Sequence, residues 1–149
     1  MWIRTFALAA SLTAPLGALA CSPSKSIDIY FARNSAEVSA EQLLRLANWT
    51  ATLRGRYANR QGIYLGSNAE TGEIDAPTLA LERARNVRRI MQDDLKFSAP
   101  SFEPVKKGRV VPAGSYGPED VKRVEIDFLP ACPHECPCQA DDPYKAVKP

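Results

Sequence analysis

Three of the four cysteines lie close together near the C-terminus, with the single histidine among them. Cys132, His134, Cys136 and Cys138 carry the thiol and imidazole groups that bind zinc in proteins. The spacing C-x3-C-x-C is not that of a known zinc site, however, and disulfides are favoured in a chain that reaches an oxidising compartment. A bond from Cys132 to Cys136 or to Cys138 would close the tail on itself.

The same sulfur atoms are a weaker candidate for redox catalysis. Cys136 and Cys138 form C-x-C, whereas thioredoxin-type chemistry uses C-x-x-C at the start of a helix. His134 has no evident triad partners, and the chain shows no phosphate-binding loop and no pair of carboxylates at catalytic spacing. We therefore predict a protein that is not an enzyme and that has no cofactor and no metal.

The first 20 residues have the pattern of an export signal. Arg4 supplies the positive start, an apolar run extends from Phe6 to Leu19, and Ala18-Leu19-Ala20 fits the A-x-A cleavage pattern. The apolar run is short for a transmembrane helix, which needs roughly 20 apolar residues. We predict that residues 1–20 are removed and that the mature protein works in the periplasm.

Cys21, directly after the cleavage site, has two interpretations. Residues 17–21 resemble a loose lipobox, in which the cysteine is acylated, and Ser22 would then direct the protein to the outer membrane. Each buried methylene of such an anchor contributes about 0.8 kcal/mol of membrane affinity. Alternatively, cleavage after Ala20 leaves Cys21 as a free thiol that pairs with a cysteine of the tail.

The composition of the mature chain excludes one broad class of function. Removing residues 1–20 from the 149 leaves 129 residues, enough for one domain with a hydrophobic core. Arg4 is the only charged residue removed, so 18 basic side chains face 17 acidic ones. A general nucleic-acid binder needs a clear basic excess, so we predict no nucleic-acid partner.

Hydrophobic periodicity predicts the element order β-α-β-α-β-β in a domain spanning 21–129, followed by a Cys/Pro-rich tail at 130–149. Strands joined through helices imply partly parallel pairing, and we predict an α/β (α+β) two-layer sandwich with a mixed sheet and two helices on one face. The predicted elements are a strand at 26–32, a helix capped by Ser39 and ending near Tyr57, a short strand at 63–65, a polar loop at 66–75, a helix from Pro77 to Leu95, an extended stretch at 105–111 and a last strand at 121–129.

Three segments, in this order, resemble a known family. Residues 29–38 (IYFARNSAEV) are similar to its opening strand and turn, residues 79–87 (LALERARNV) to the L-S-x-x-R-A-x-x-V run of its long helix, and residues 122–126 (KRVEI) to its final strand. The family is the OmpA-like C-terminal domain, a peptidoglycan-binding module of Gram-negative envelopes. The resemblance covers residues 27–129 and implies the same fold.

The resemblance also implies a ligand site. In the family, an aspartate and the helix arginine hold the diaminopimelate of the peptidoglycan stem peptide, which needs an anion and a bidentate cation. Arg83 takes the arginine position and Asn68 stands where the aspartate is expected, with Ser67 beside it and Arg123 on the last strand. Because Asn68 has no charge, a nearby acid could replace the missing carboxylate. The candidates are Glu70, Glu73 and Asp75.

Two functions follow from this resemblance, of which we predict the first and keep the second as the alternative. The first is non-covalent attachment to peptidoglycan, linking the cell wall to the outer membrane if Cys21 carries lipid. The second is a protein-interaction module of an envelope or secretion complex that has lost the wall ligand. Asn68, and Val121 in place of the family's asparagine before the last strand, favour the second.

Overall fold

A computed structural model describes residues 24–103, 105–117 and 120–131. The predicted signal peptide, Cys21 and the tail residues from Cys132 onward lie outside these ranges, so the domain boundaries, the acylation and the disulfides remain predictions. Within the described ranges, no helix has both the length and the apolar character that crossing a membrane requires.

The described residues form two α-helices and five strands. The order agrees with the predicted one, except that an additional two-residue strand follows the second helix. That helix also continues into a π-helical turn at Ile90–Asp94. The elements are β1 (Lys25–Tyr30), α1 (Ala40–Arg56), β2 (Arg60–Glu70), α2 (Ala76–Arg89), β3 (Ser101–Phe102), β4 (Arg109–Val111) and β5 (Arg123–Pro130).

The second strand is much longer than the sequence predicts. β2 continues for 11 residues to Glu70, so the prediction of a polar loop from Gly66 onward is wrong for its first half. The polar stretch stays extended because β5 pairs with it as far as Ser67 and β4 pairs with it at Asn68–Glu70. Small side chains such as Ala69 fit beneath α2, where Ala69 packs with Ala76 and Ala80.

The sheet is mixed, as predicted. β5 lies between β1 and β2 and is antiparallel to both, so β1 and β2 run in the same direction without touching. β3 and β4 pair with β2 in parallel, at opposite ends of that long strand. The ends of β1 and β2 are therefore at the same edge of the sheet, and the loops that follow them are neighbours.

One face of the sheet is covered by the helices and the other is polar. On β5, the buried residues Val124, Ile126 and Phe128 alternate with the polar residues Arg123, Glu125 and Asp127. Because successive side chains of a strand point to opposite faces, the apolar set faces the helices. The buried core consists of Ile29, Phe31, Leu46, Leu53, Tyr57, Ile63, Val87, Ile90, Met91, Phe97, Phe102, Val124, Ile126 and Phe128.

The start of α1 is capped by Ser39, as predicted. The hydroxyl of Ser39 accepts a hydrogen bond from the Gln42 N–H at 3.3 Å. The side chain of Gln42 does not return this bond; its oxygen accepts instead from the Tyr30 N–H, at 3.1 Å, so that α1 is attached to the end of β1. This contact holds the β1–α1 loop beside the sheet edge where the candidate site lies.

Candidate functional site

Arg83 is completely buried, with no exposed surface. It lies two turns into α2, between the β1–α1 loop and the β2–α2 loop, and its guanidinium carbon is 5.2 Å from the centre of the Phe31 ring. Arginine is almost never fully buried in proteins unless it is paired. The partners of Arg83 therefore decide what this centre can do.

All five N–H donors of the Arg83 guanidinium group are used within the chain. Nε donates to the carbonyl oxygen of Ser35 at 2.9 Å, and Nη1 and Nη2 donate to the carbonyl oxygens of Asn68 and Ala32, each at 3.1 Å. The remaining two donors hold the carboxylate of Glu73 in a bidentate pair, at 2.9 Å and 2.6 Å. No donor of Arg83 is left for a ligand.

Glu73 is equally saturated. Its two oxygens accept from Arg83 and also from the backbone N–H groups of Asn34 and Glu70, both at 2.7 Å. Burial by itself raises the pKa of Glu73, but the hydrogen bonds from Arg83 and from the backbone of Glu70 and Asn34 outweigh it, so that the pKa lies below its ordinary value. The side chains of Arg83 and Glu73 are both 0% exposed.

The loop that carries Glu73 is held in place from the neighbouring loop. The side-chain oxygen of Asn34 accepts from the Ile74 N–H at 2.9 Å, and Arg33 donates to the carbonyl of Gly72 at 3.2 Å. Asn34 and Asp75 both have left-handed backbone angles, with φ of 56° and 45°, which are uncommon outside glycine. These angles occur in the two loops that meet around the Glu73 carboxylate.

This centre is an internal ion pair with every partner supplied by the protein. The sequence names Glu70, Glu73 and Asp75 as possible anions for Arg83, and the structure pairs Arg83 with Glu73. Glu70 instead binds Lys122 at 3.0 Å. Removing one member of a buried pair leaves an unpaired buried charge, which costs about 3–5 kcal/mol of stability. The Arg83–Glu73 pair is therefore positioned to hold the two loops together.

The other residues predicted for the ligand site do not turn their side chains to Arg83. The hydroxyl of Ser67 donates to the carbonyl of Ala80 in the layer between β2 and α2. Asn68 offers its backbone carbonyl to Arg83, while its side chain points to the polar face of the sheet. There it accepts from Arg109 at 2.8 Å and donates to Glu125 at 3.3 Å.

Arg123 belongs to that polar face as well. Its guanidinium carbon lies 4.3 Å from the centre of the Tyr116 ring, and its nitrogens contact Glu125 at 3.1 Å and Asp28 at 3.6 Å. Burial raises the pKa of Glu125, but its hydrogen bonds and charge interactions with Arg109, and then with Arg123, lower it by more. The pKa of Glu125 therefore lies below its ordinary value. Arg123 and Arg83 thus lie on opposite faces of the sheet, and Asn68 bonds to both sides.

A cleft of about 400 Å3 lies beside the Arg83 centre, at the end of β1. Tyr30, Ala32, Ser35, Glu37 and Ser39 line it. The hydroxyls of both serines already accept bonds from backbone N–H groups. The Glu37 side chain is exposed, and within the described ranges no hydrogen bond or ion pair engages its carboxylate. It is the free anion of this cleft.

The groups of the Arg83 centre make hydrogen bonds and ion pairs within the protein. In the part of the chain that the structure describes, no group of three histidines, cysteines or acids could hold a metal ion. The saturated Arg83–Glu73 pair has neither a donor nor an acceptor to give to a substrate. The carbonyl groups of Ala32, Ser35 and Asn68 are part of the centre without any sequence signal, because every residue type carries a backbone carbonyl.

Of the comparisons with known proteins, one gives a match, and it shows the fold alone. No protein-family profile matches the chain, and no curated protein matches it. Among solved structures, the chain is similar to the OmpA-like domain of FopA1 from Francisella tularensis subsp. tularensis SCHU S4, at 16% identity and a TM-score of 0.54, over 72% of this chain and 73% of that one. The resemblance read from the sequence is confirmed at the level of the fold, and this chain has the architecture of an OmpA-like domain.

Proposed function

We propose that this protein is an exported, non-catalytic envelope module that binds a protein partner, and that its Arg83 centre holds the fold together instead of capturing a wall ligand. The observation that carries the loss of the wall ligand is the saturation of Arg83, whose five donors all bind oxygens of this chain. Capture of diaminopimelate would have to displace the Glu73 carboxylate. The OmpA-like fold supports placement in the envelope.

Glu73 takes the place that a ligand carboxylate would need. A bidentate carboxylate is the best partner for a guanidinium group. Glu73 belongs to the same chain as Arg83, so no association entropy opposes their pairing. An external ligand would also have to break the two backbone hydrogen bonds that Glu73 accepts. The geometry therefore supports the hypothesis of a module that has lost the wall ligand.

Sedimentation with purified peptidoglycan sacculi tests this proposal. We expect the wild-type mature protein to stay in the supernatant, together with Glu73→Gln and the exposed control variant Glu82→Gln. If the wild type sediments with sacculi and Arg83→Lys releases it while Glu82→Gln does not, then ligand capture through Arg83 is correct and our proposal is wrong. This outcome would also restore the predicted roles of Asn68, Ser67 and Arg123.

One observation favours peptidoglycan as a second candidate ligand. The cleft beside Tyr30 has a free carboxylate on Glu37 and a volume of about 400 Å3, into which the ammonium group of a stem peptide could enter without contacting Arg83. This function predicts that the wild type sediments with sacculi, that Glu37→Gln abolishes the binding and that Arg83→Lys leaves it intact. Glu41→Gln, an exposed change on the first turn of α1, is the control.

Export, acylation and disulfides belong to the same proposal and share one measurement. The A-x-A pattern before Cys21 supports export to the periplasm, and the lipobox resemblance supports attachment to the outer membrane. The intact mass of the protein isolated from membranes reports both features. Acylation adds the mass of the lipid, and each disulfide among Cys132, Cys136, Cys138 and an unacylated Cys21 removes two hydrogens. A mass that includes residues 1–20 would exclude export by signal cleavage.

A further inference from the structure

One end of the domain collects basic side chains. Arg54, near the end of α1, and Lys96, after the π-helical turn, are exposed, while Arg60 at the start of β2 and Lys25 at the start of β1 are half-buried. We call these four residues the basic end. They come from four different elements, which makes the cluster a product of the fold and not of a local run of charge.

The strand register places the basic end opposite the Arg83 centre. Lys25 pairs with Phe128 of β5, and Arg60 pairs with Pro130 two residues further along the same strand. The Arg83 centre contacts Asn68, eight residues further along β2, which corresponds to about 26 Å at 3.3 Å per residue. The two ends of the sheet therefore carry separate features.

The arginines of the basic end are turned toward backbone carbonyls, not toward acids. Arg54 donates to the carbonyl of Leu95 at 2.5 Å, and Arg60 donates to that of Ser98 at 3.2 Å while covering the Phe97 ring at 4.6 Å. Burial, and then the charge of Arg54, lower the pKa of Arg60.

The acids of the described ranges leave this charge without an ion pair. Within the described ranges, no acidic oxygen comes within ion-pair distance of any of the four basic side chains. Three acids near these residues contact other groups: Asp94 is 4.0 Å from Arg89, Asp28 is 3.6 Å from Arg123, and Asp127 accepts from Ser26. The described acids therefore leave the positive charge of the basic end available to an external anion.

The predicted anchor position lies at this same end. Cys21 is three residues before Ser24, where the described part begins, and three residues of extended chain span at most about 11 Å. An acyl chain on Cys21 would hold the start of β1 against the membrane, and with it the basic end. A basic surface adds electrostatic attraction to anionic lipid beside an acyl anchor.

We propose that the basic end is a docking surface for anionic phospholipid headgroups, which fixes the orientation of the domain on the membrane and turns the Arg83 loops away from it. This inference rests on the proposed envelope location but not on whether the domain binds a protein partner or the wall. The phosphate groups of the lipid would accept the remaining N–H donors of Arg54 and Arg60, with Lys25 and Lys96 adding attraction across the surface.

Vesicle flotation tests the docking surface without the anchor. The mature chain from residue 21 onward, with Cys21→Ser, is mixed with vesicles of phosphatidylglycerol and phosphatidylcholine in equal parts, or with vesicles of phosphatidylcholine alone. We expect flotation with the anionic vesicles only, and we expect it to fall as salt rises. Each basic residue near an anionic surface contributes roughly fivefold in affinity.

Matched variants identify the surface. Arg54→Gln/Arg60→Gln should lose binding by about 25-fold, whereas Lys106→Gln/Lys107→Gln, which removes the same charge from an exposed loop, should not. Lys96→Gln, whose side chain supports no backbone carbonyl, should lose about fivefold and keeps the test valid if the double variant fails to fold. Absence of flotation with anionic vesicles, equal flotation with neutral ones, or equal losses in both double variants would overturn the proposal.

Discussion

Two ion pairs of the same chemistry occupy opposite surroundings in this domain. The Arg83–Glu73 pair has no exposed surface, while in the Arg109–Glu125 pair the side chains are 52% and 27% exposed. Charge interactions strengthen as water is excluded, and so does the penalty for leaving a charge without its partner. The comparison shows why the first pair can determine the arrangement of two loops, whereas the second can only adjust a surface.

The largest expected effect comes from breaking the buried pair. Glu73→Gln removes the charge that neutralises Arg83, and the free energy of unfolding should fall by about 3 kcal/mol, since a lone buried charge costs about 3–5 kcal/mol. Urea denaturation measures the change. The exposed Glu82→Gln should stay within about 0.5 kcal/mol of wild type. A loss below about 1 kcal/mol for Glu73→Gln would be that of an ordinary surface pair and would contradict the comparison.

The second prediction is that the stability contributed by Glu73 depends on pH. The pKa of Glu73 is lower in the folded protein than in the unfolded chain, where it is about 4.3. The stability that Glu73 contributes is therefore fully present above that value and is lost as the pH falls through the folded pKa. The difference in unfolding free energy between wild type and Glu73→Gln should be constant near neutral pH and shrink below about pH 4.3. A constant difference down to strong acid would contradict this prediction.

The smallest effect belongs to the exposed pair. Arg109→Gln removes the ion-pair partner of Glu125, which Arg123 still binds, and also the donor to the buried Asn68 side chain. We expect a loss of about 1–2 kcal/mol, of which only the ion-pair part disappears in high salt. Urea denaturation at low and at high salt measures it. If Arg109→Gln costs as much as Glu73→Gln, exposure does not distinguish the two pairs.

The order of the elements could be predicted from the sequence, and so could the two-layer sandwich. The apolar spacing of α1 and the alternation of Val124, Ile126 and Phe128 depend only on periodicities that helices and strands impose on any buried face. The second half of β2 could not be predicted in this way. Its polar and small residues are extended because β4 and β5 pair with them, and pairing partners distant in sequence leave no local signal.

The candidate site was predictable only in part. The family resemblance singled out Arg83, and Glu73 was one of three acids that could face it. Choosing among the three required the folded arrangement of the two loops, in which two backbone N–H groups bind the Glu73 carboxylate and Glu70 pairs with Lys122. The direction of the Asn68 side chain was also hidden, because a one-residue change of strand register would reverse the face to which it points.

The central claim, that Arg83 is closed to ligands, can be tested by NMR of the Arg83 Nε–H group. We predict that this proton, which donates to the Ser35 carbonyl at 2.9 Å, exchanges slowly with water. Its resonance should not move when a soluble stem peptide containing diaminopimelate is added. A saturable shift of the Arg83 signal on adding that peptide, absent when alanine replaces diaminopimelate, would show that the centre opens to a wall ligand and would contradict the account.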